Sequence, residues 1–287
     1  DLPARVPQAV EDLLAPDSAR ALRIADGVFY RYLWSPRGPW AVHLVEVDLT
    51  RCALGLAVAR APREEGLRGG RATVTELARR PGAAVLAAVN GDFFTPEGMP
   101  LGPEVAAGVR RTGRTRPAVV YRGGERTPWI GTTGVETDRV EATGWPLASG
   151  ALGQVEVVGG YPEILDAGSR VGDLLVAANP SFAASRHPRT AVAVSVEEPR
   201  LYLVVVDGRQ GDYSTGMTLP ELAGLLEALG AEEALNLDGG GSSVLVVRGR
   251  AVSRPSDDMG ERPVVNALLL VEDPSLCGSL NGAPARP

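Results

Sequence analysis

The chain has 287 residues, 44% of them hydrophobic, and a formal net charge of −6. That is enough apolar material for one large or two ordinary cores, and it lacks the basic footprint of a nucleic-acid binder. All 29 basic residues are arginine, which excludes a lysine Schiff base, a lysine general base and a Walker-type phosphate loop.

No apolar run approaches the roughly 20 residues of a membrane-spanning helix. The chain begins at Asp1 with no methionine, basic segment or signal-like apolar core, as a processed exported form or a trimmed one would. Residues 1–27 carry a weak helical pattern, with Val10, Leu13 and Leu14 after Pro7 and a stop at Pro16, and read as a peripheral lead-in. From Val28, the runs F-Y-R-Y-L-W, A-V-H-L-V-E-V-D-L and A-L-G-L-A-V-A are separated by Pro and Gly and predict an antiparallel meander. His43 lies on the second run and, with no ligand pattern beside it, reads as structural. Cys52 and Cys277 are far apart and not in metal-like spacing; a long-range disulfide and two separate thiols both remain open.

Thr73 to Arg80 predicts a short helix with a Thr73/Glu76 capping box and a stop at Pro81-Gly82. The strand A-A-V-L-A-A-V follows and ends in Asn90-Gly91-Asp92. From about Thr95 to Ala178, short β runs between glycines and prolines predict hairpins and long loops, and no polar linker marks a domain boundary. Thr190 to Val196 predicts a strand, and L-Y-L-V-V-V a second strand buried on both faces that ends in Asp207-Gly208-Arg209. Thr218 to Leu229 predicts a helix: Thr218 and Glu221 form a capping box, Pro220 sits in the first turn, leucines recur at helical spacing, and Gly230 stops it. A-L-N-L then leads into Asp238. Strand, helix and strand in this order predict a βαβ unit. The expected fold class is α+β, a mixed β-sheet core with that C-terminal βαβ unit, few helices, many hairpins and long loops. A single domain is expected over residues 28–272, with a tail at 273–287.

A βαβ unit would bring Asp207 and Asp238 to one sheet edge, where open α/β sheets bind ligands. Asn90 and Asp92 would reach the same edge. Gly239, Gly240, Gly241, Ser242 and Ser243 would then form a concave array of N–H groups and hydroxyls for an anionic oxygen; an ordinary tight turn also accounts for the glycines. A serine-hydrolase reading lacks its G-x-S-x-G elbow. Arg189, Arg209 and Arg262 stand out by position as partners for phosphate, and His187 is the better placed of the two histidines.

The chain resembles the phosphodiester glycosidase family in A-V-N-G-D-F-F (88–94), H-P-R-T-A-V-A-V (187–194), L-Y-L-V-V-V-D-G-R (201–209), G-M-T-L-P-E-L-A (216–223), A-L-N-L-D-G-G-G-S-S (234–243) and R-P-V-V-N-A-L-L (262–269). It departs at Asp92, where the family commonly carries a small residue. The resemblance implies hydrolysis of a sugar 1-phosphodiester by an exported protein acting on a glycan or cell-envelope polymer. Cleavage at an anomeric carbon usually employs two carboxyl groups. Asp207 and Asp238 are the expected pair, with Arg189 the first choice to clamp phosphate. Thr190, Arg209, Arg262, Asn90, Asn236 and Asn266 are the expected substrate contacts. No cofactor is required by the sequence; Mg²⁺ or Ca²⁺ would suit the carboxylates and asparagines, but no ligand spacing identifies a metal site. Two other classes stay open: a non-catalytic polysaccharide-binding envelope protein, favoured if Asp207, Asp238 and Arg189 prove buried or dispersed, and a metal-dependent phosphodiesterase.

Overall fold

The computed structural model describes residues 5–66, 68–79, 84–123, 125–136, 140–142, 155–177 and 179–282. Among the described residues the strands form three antiparallel sheets. The eight-stranded sheet runs in the order β1 (Ser18–Ala25), β2 (Val28–Ser35), β3 (Trp40–Asp48), β15 (Arg200–Val206), β14 (Arg189–Ser195), β16 (Glu233–Asn236), β12 (Glu163–Asp166), β13 (Ser169–Arg170). The five-stranded sheet runs β18 (Arg250–Ala251), β17 (Leu245–Val247), β5 (Ala84–Asn90), β19 (Asn266–Glu272), β4 (Leu54–Arg60). The six-stranded sheet runs β10 (Val140–Ala142), β9 (Trp129–Val135), β8 (Arg116–Arg122), β11 (Val155–Gly159), β6 (Glu104–Ala106), β7 (Val109–Thr112).

The layering follows from the side-chain period of two along each strand. On β15, Leu201, Leu203 and Val205 join Leu56, Val58, Leu86, Leu268 and Leu270 of the five-stranded sheet in one core. The alternate residues Tyr202, Val204 and Val206 lie in a second core with Leu222, Leu225 and Leu226. The continuous apolar run of β15 is therefore explained by two covered faces within an antiparallel sheet. The covering helix α5 (Leu219–Ala228) has the expected capping box, with Thr218 Oγ1 accepting from Glu221 N and the Glu221 side chain accepting from Thr218 N. It ends before Gly230, whose φ of +76° suits glycine. Val74 and Leu77 of α2 (Val74–Leu77) cover the outer face of the five-stranded sheet, and Thr73 and Glu76 cap that helix as expected. The expected stop at Pro81-Gly82 lies outside the described residues.

Three expectations are corrected. Residues 1–27 hold α1 (Gln8–Leu14) but also β1, an edge strand paired along its length with β2; polar and apolar residues mix along it, with Leu22 exposed and Ile24 buried, so no alternating apolar signal marked it. The third strand of the expected meander, β4, leaves its predecessors and pairs with β19. The expected mixed sheet gives way to antiparallel pairing: β14 lies between β15 and β16 and runs antiparallel to both, so the two strands of the expected βαβ unit are parallel to each other but not paired. The short connection at Glu197–Pro199 closes β14 onto β15, while β3 occupies the other edge of β15. The open edge of β14 is what remains for β16. Even so, Val206 faces Arg189 and Asn236 faces Ala191, so β15 and β16 end at the same sheet edge on either side of the start of β14.

Candidate active site

The turn after β16 hangs between the two sheets. Leu237 N donates to Thr190 O, Asp238 N to Gly91 O and Gly240 N to Pro188 O, each at 2.9 Å. Asn90, at the end of β5, ties these segments together. Its Nδ2 donates to Asp238 O at 2.6 Å, and its Oδ1 accepts from Thr190 Oγ1 at 2.8 Å and Val244 N at 3.2 Å. Asn90 and Thr190 are fully buried, so this geometry makes them a staple.

Residues Gly240–Ser242 form a 3₁₀ turn, with Gly240 at φ +62°. Gly239 N donates to Asp238 Oδ1, Ser242 N to Gly239 O and Ser243 N to Gly240 O. With Gly240 N on Pro188 O, these N–H groups already have protein acceptors, and the expected anion-receiving array loses most of its donors. Ser242 and Ser243 are buried, and the Ser242 side chain lies close enough to Asp238 to lower its carboxyl. The glycines admit side chains instead. A Cβ on Gly240 would meet the Arg209 guanidinium at 3.0 Å, and one on Gly241 would meet Asp257 Oδ1 at 2.2 Å and the Arg262 guanidinium at 2.3 Å. Two arginines thus lie against the turn that begins at Asp238.

Asp238 is partly buried, and burial pushes its carboxyl up to about 6 against the pull of Ser242, the Gly239 N–H and Arg262. Asp92 is 1% exposed. Burial pushes it up to about 7; the Gly102 N–H, Arg116 and the Phe93 N–H pull it down, while the charge of Asp238 pushes it further up. Asn266, buried on β19, accepts from Asp92 N at 2.9 Å and donates to Glu104 Oε2 at 2.6 Å. Glu104 is in turn bound by Arg60 and Arg111.

Asp207 and Arg189 are placed differently from the expected roles. The Asp207 carboxylate is 1% exposed and accepts from His43 Nε2 at 2.9 Å, Tyr213 Oη at 2.9 Å and Arg254 N at 3.0 Å. His43 Nδ1 lies 2.9 Å from Tyr30 Oη. Burial and the Asp207 charge raise both tyrosines, so their hydroxyls remain protonated donors. Asp207 is the anchor of a buried Tyr–His–Asp–Tyr network rather than a carboxylate open to Asp238. Arg189 is fully buried, and its guanidinium donates to the carbonyls of Met217, Phe182 and Ser185 at 2.8, 2.5 and 3.1 Å, with Cζ 4.7 Å from the Phe182 ring. Burial, with the charge of Arg209, lowers it to about 10. Asn236 is also buried, its Nδ2 donating to Tyr161 O and Leu237 O at 2.8 Å.

The accessible cations are the other two expected arginines. Arg209 is exposed, at φ +59°, and its NH2 lies 3.4 Å from His187 Nδ1. Because His187 Nε2 faces Ser181 O at 3.1 Å, a carbonyl that only accepts, Nε2 bears the proton and Nδ1 accepts from Arg209. Arg262 is exposed and pairs with Asp257 through Nε and NH2 at 2.8 and 3.0 Å. Sequence reasoning missed Glu104, Asp257 and Arg116, whose Cζ lies 5.9 Å from the Phe93 ring and 5.1 Å from the Tyr161 ring. No local pattern distinguishes them from the many charged residues elsewhere in the chain. Among the described residues no three His, Cys, Asp or Glu side chains gather as a metal site.

Residues 83–271 match the family model described as phosphodiester glycosidase, and the chain belongs to that family. A prophage-derived protein of Bacillus subtilis (strain 168), YomE, is 28% identical over 202 residues, 70% of this chain and 30% of that protein; the chain thus spans under a third of that relative. A hypothetical protein from Synechocystis shares the fold with a TM-score of 0.65 at 19% identity, over 89% of this chain and 64% of that one. The catalytic domain of zebrafish N-acetylglucosamine-1-phosphodiester alpha-N-acetylglucosaminidase, in a form auto-inhibited by its pro-peptide, shares it with a TM-score of 0.61 at 21% identity, over 93% of this chain and 94% of that one.

Proposed function

We propose that the protein hydrolyses the glycosidic C–O bond of a sugar 1-phosphodiester in a glycan or cell-envelope polymer. The observation that carries this reading is the Asp238 turn, where a partly buried carboxyl begins a segment covered by the Arg209 and Arg262 guanidinium groups. In this reading Asp238 acts at the anomeric carbon, as base toward water or as nucleophile, and the two arginines hold the phosphodiester. Phosphate is a good leaving group, so arginine charge replaces much of the work of a strong general acid. In this reading Arg189 and Asp207 are buried structural supports of the segments on which the site is built. No helix among the described residues is long and apolar enough to cross a membrane, and Cys52 and Cys277 form a disulfide. The disulfide supports an exported protein, because such bonds persist in oxidising compartments.

The burial of Asp207 and Arg189 favours a second reading, a polysaccharide-binding protein on the same scaffold. A screen of sugar 1-phosphodiesters, with and without chelator and in ¹⁸O-labelled water, separates the readings. Release of sugar carrying the label supports C–O cleavage. Label in the phosphate, lost with chelator, indicates a metal-dependent phosphodiesterase, and binding without turnover indicates the binding protein.

A further inference from the structure

The surroundings of Asp92 are shaped to a carboxyl. Oδ2 accepts from Gly102 N at 2.5 Å, and the backbone N donates to Asn266 Oδ1 at 2.9 Å. A Cβ on Gly102 would meet Oδ2 at 3.0 Å, and one on Gly159 at 2.7 Å. Two backbone segments therefore approach as closely as glycine allows. Oδ1 is buried and has no partner. The charged groups around it are Arg116 from β8 and Asp238. Behind Asn266 lies Glu104, already held by Arg60 and Arg111. Asp238 faces Arg262, itself paired with Asp257, and Arg209 lies against Gly240.

We propose that Asp92 is the positioning residue of this site, a carboxyl that keeps its proton beside ionised Asp238, so that the two carry one negative charge while the enzyme works. The inference rests on the glycosidase reading of the site. Asp238 N donates to Gly91 O at 2.9 Å, so Asp238 adjoins Asp92 in space, and a buried carboxyl next to a negative charge holds its proton more firmly than one in water. The surroundings decide which one keeps the proton. Asp238 is the more open to solvent, has the Gly239 N–H on Oδ1 and faces Arg262. Asp92 is sealed, and an anion there would leave Oδ1 without a donor. The proton therefore resides on Asp92 Oδ1. Loss of that proton would add a second negative charge to that of Asp238 and oppose an incoming phosphodiester anion, weakening substrate capture more than turnover.

The test is the pH profile of kcat/KM for a small sugar 1-phosphodiester, in wild type and Asp92→Asn. Wild type should decline on the alkaline side by about tenfold per pH unit, through KM, as one proton is lost. Asp92→Asn, a neutral group of the same shape, should abolish the alkaline decline. An unchanged alkaline limb in Asp92→Asn, or a folded Asp92→Asn protein inactive at every pH, overturns the proposal. Should Asp92→Asn fail to fold, infrared spectra of the Glu163→Gln and Asp238→Asn variants decide, because those two carboxyls are also raised, to about 7 and about 6. A buried protonated-carboxyl band at pH 7 that is present in both variants and disappears by pH 9 supports the proposal, and its loss in either variant overturns it. A wild type that releases no sugar from any sugar 1-phosphodiester defeats the glycosidase reading itself, a result distinct from these.

Discussion

The side-chain amide of Asn90 donates to the backbone carbonyl of Asp238 at 2.6 Å, so the end of a strand in one sheet holds the turn that follows a strand in another. Replacing Asn90 with Ala leaves Thr190 Oγ1, Val244 N and Asp238 O without their partner in a dry environment. Each buried unsatisfied group costs about 1–3 kcal/mol. We expect Asn90→Ala to lower stability by at least about 2 kcal/mol, read as a lower urea midpoint, and to lower activity together with it.

Asp238→Asn and Asp207→Asn should differ in kind. Asp238→Asn is expected to fold normally and lose about 10²–10⁴ in kcat, the range set by removing a positioned acid or base. Asp207→Asn breaks a buried network with three donors on one carboxylate, and its expected effect is a loss of about 3–5 kcal/mol of stability. Urea titration beside steady-state kinetics separates them; a stable but inactive Asp207→Asn protein would return Asp207 to the chemistry.

Arg209→Ala removes an exposed guanidinium that lies against Gly240. Its expected signature is KM raised by about tenfold or more, corresponding to about 1.4 kcal/mol or more of lost substrate binding, with stability changed by less than about 0.5 kcal/mol. Inhibition by inorganic phosphate should weaken in parallel.

Stability should fall as pH rises from about 4 to about 7, because Asp92 and Asp238 titrate near 7 and 6 in the folded protein and near 3.9 when unfolded. Between those values the folded state holds protons that the unfolded chain releases, so raising the pH favours unfolding. Below about 4 both states are protonated and the effect vanishes. Asp92→Asn should be more stable than wild type at pH 8, by the order of a few kcal/mol, and should lose that advantage at pH 4. Thermal midpoints measured across this range provide the check.

Reduction of the Cys52–Cys277 disulfide, which spans a sequence separation of 225, should cost about 2–4 kcal/mol through the greater freedom of the unfolded chain. A Cys52→Ser/Cys277→Ser double variant should show the same lower urea midpoint, and dithiothreitol should not lower it further.

The sequence alone determined the local elements and the place of the turn. Capping boxes at Thr73/Glu76 and Thr218/Glu221, the two-sided apolar run of β15 and the termination of β15 and β16 near Asp207 and Asp238 all follow from periodicity and backbone chemistry within a few residues. What it did not determine was the pairing of strands and the freedom of each polar side chain. Strand β16 takes the open edge of β14 because β15 is already flanked on both sides, a constraint set by strands remote in the chain. Asp207 and Asp238 look alike as strand-end carboxyls, but His43, separated from Asp207 by 164 positions, occupies the first, while Asn90, separated by 148, holds only the backbone of the second. A carboxyl's charge and availability depend on burial and on donors from distant segments, which local sequence patterns do not encode. Only the folded structure could therefore show that the arginines facing the Asp238 turn are Arg209 and Arg262, and that Arg189 is sealed against the carbonyls of Phe182, Ser185 and Met217.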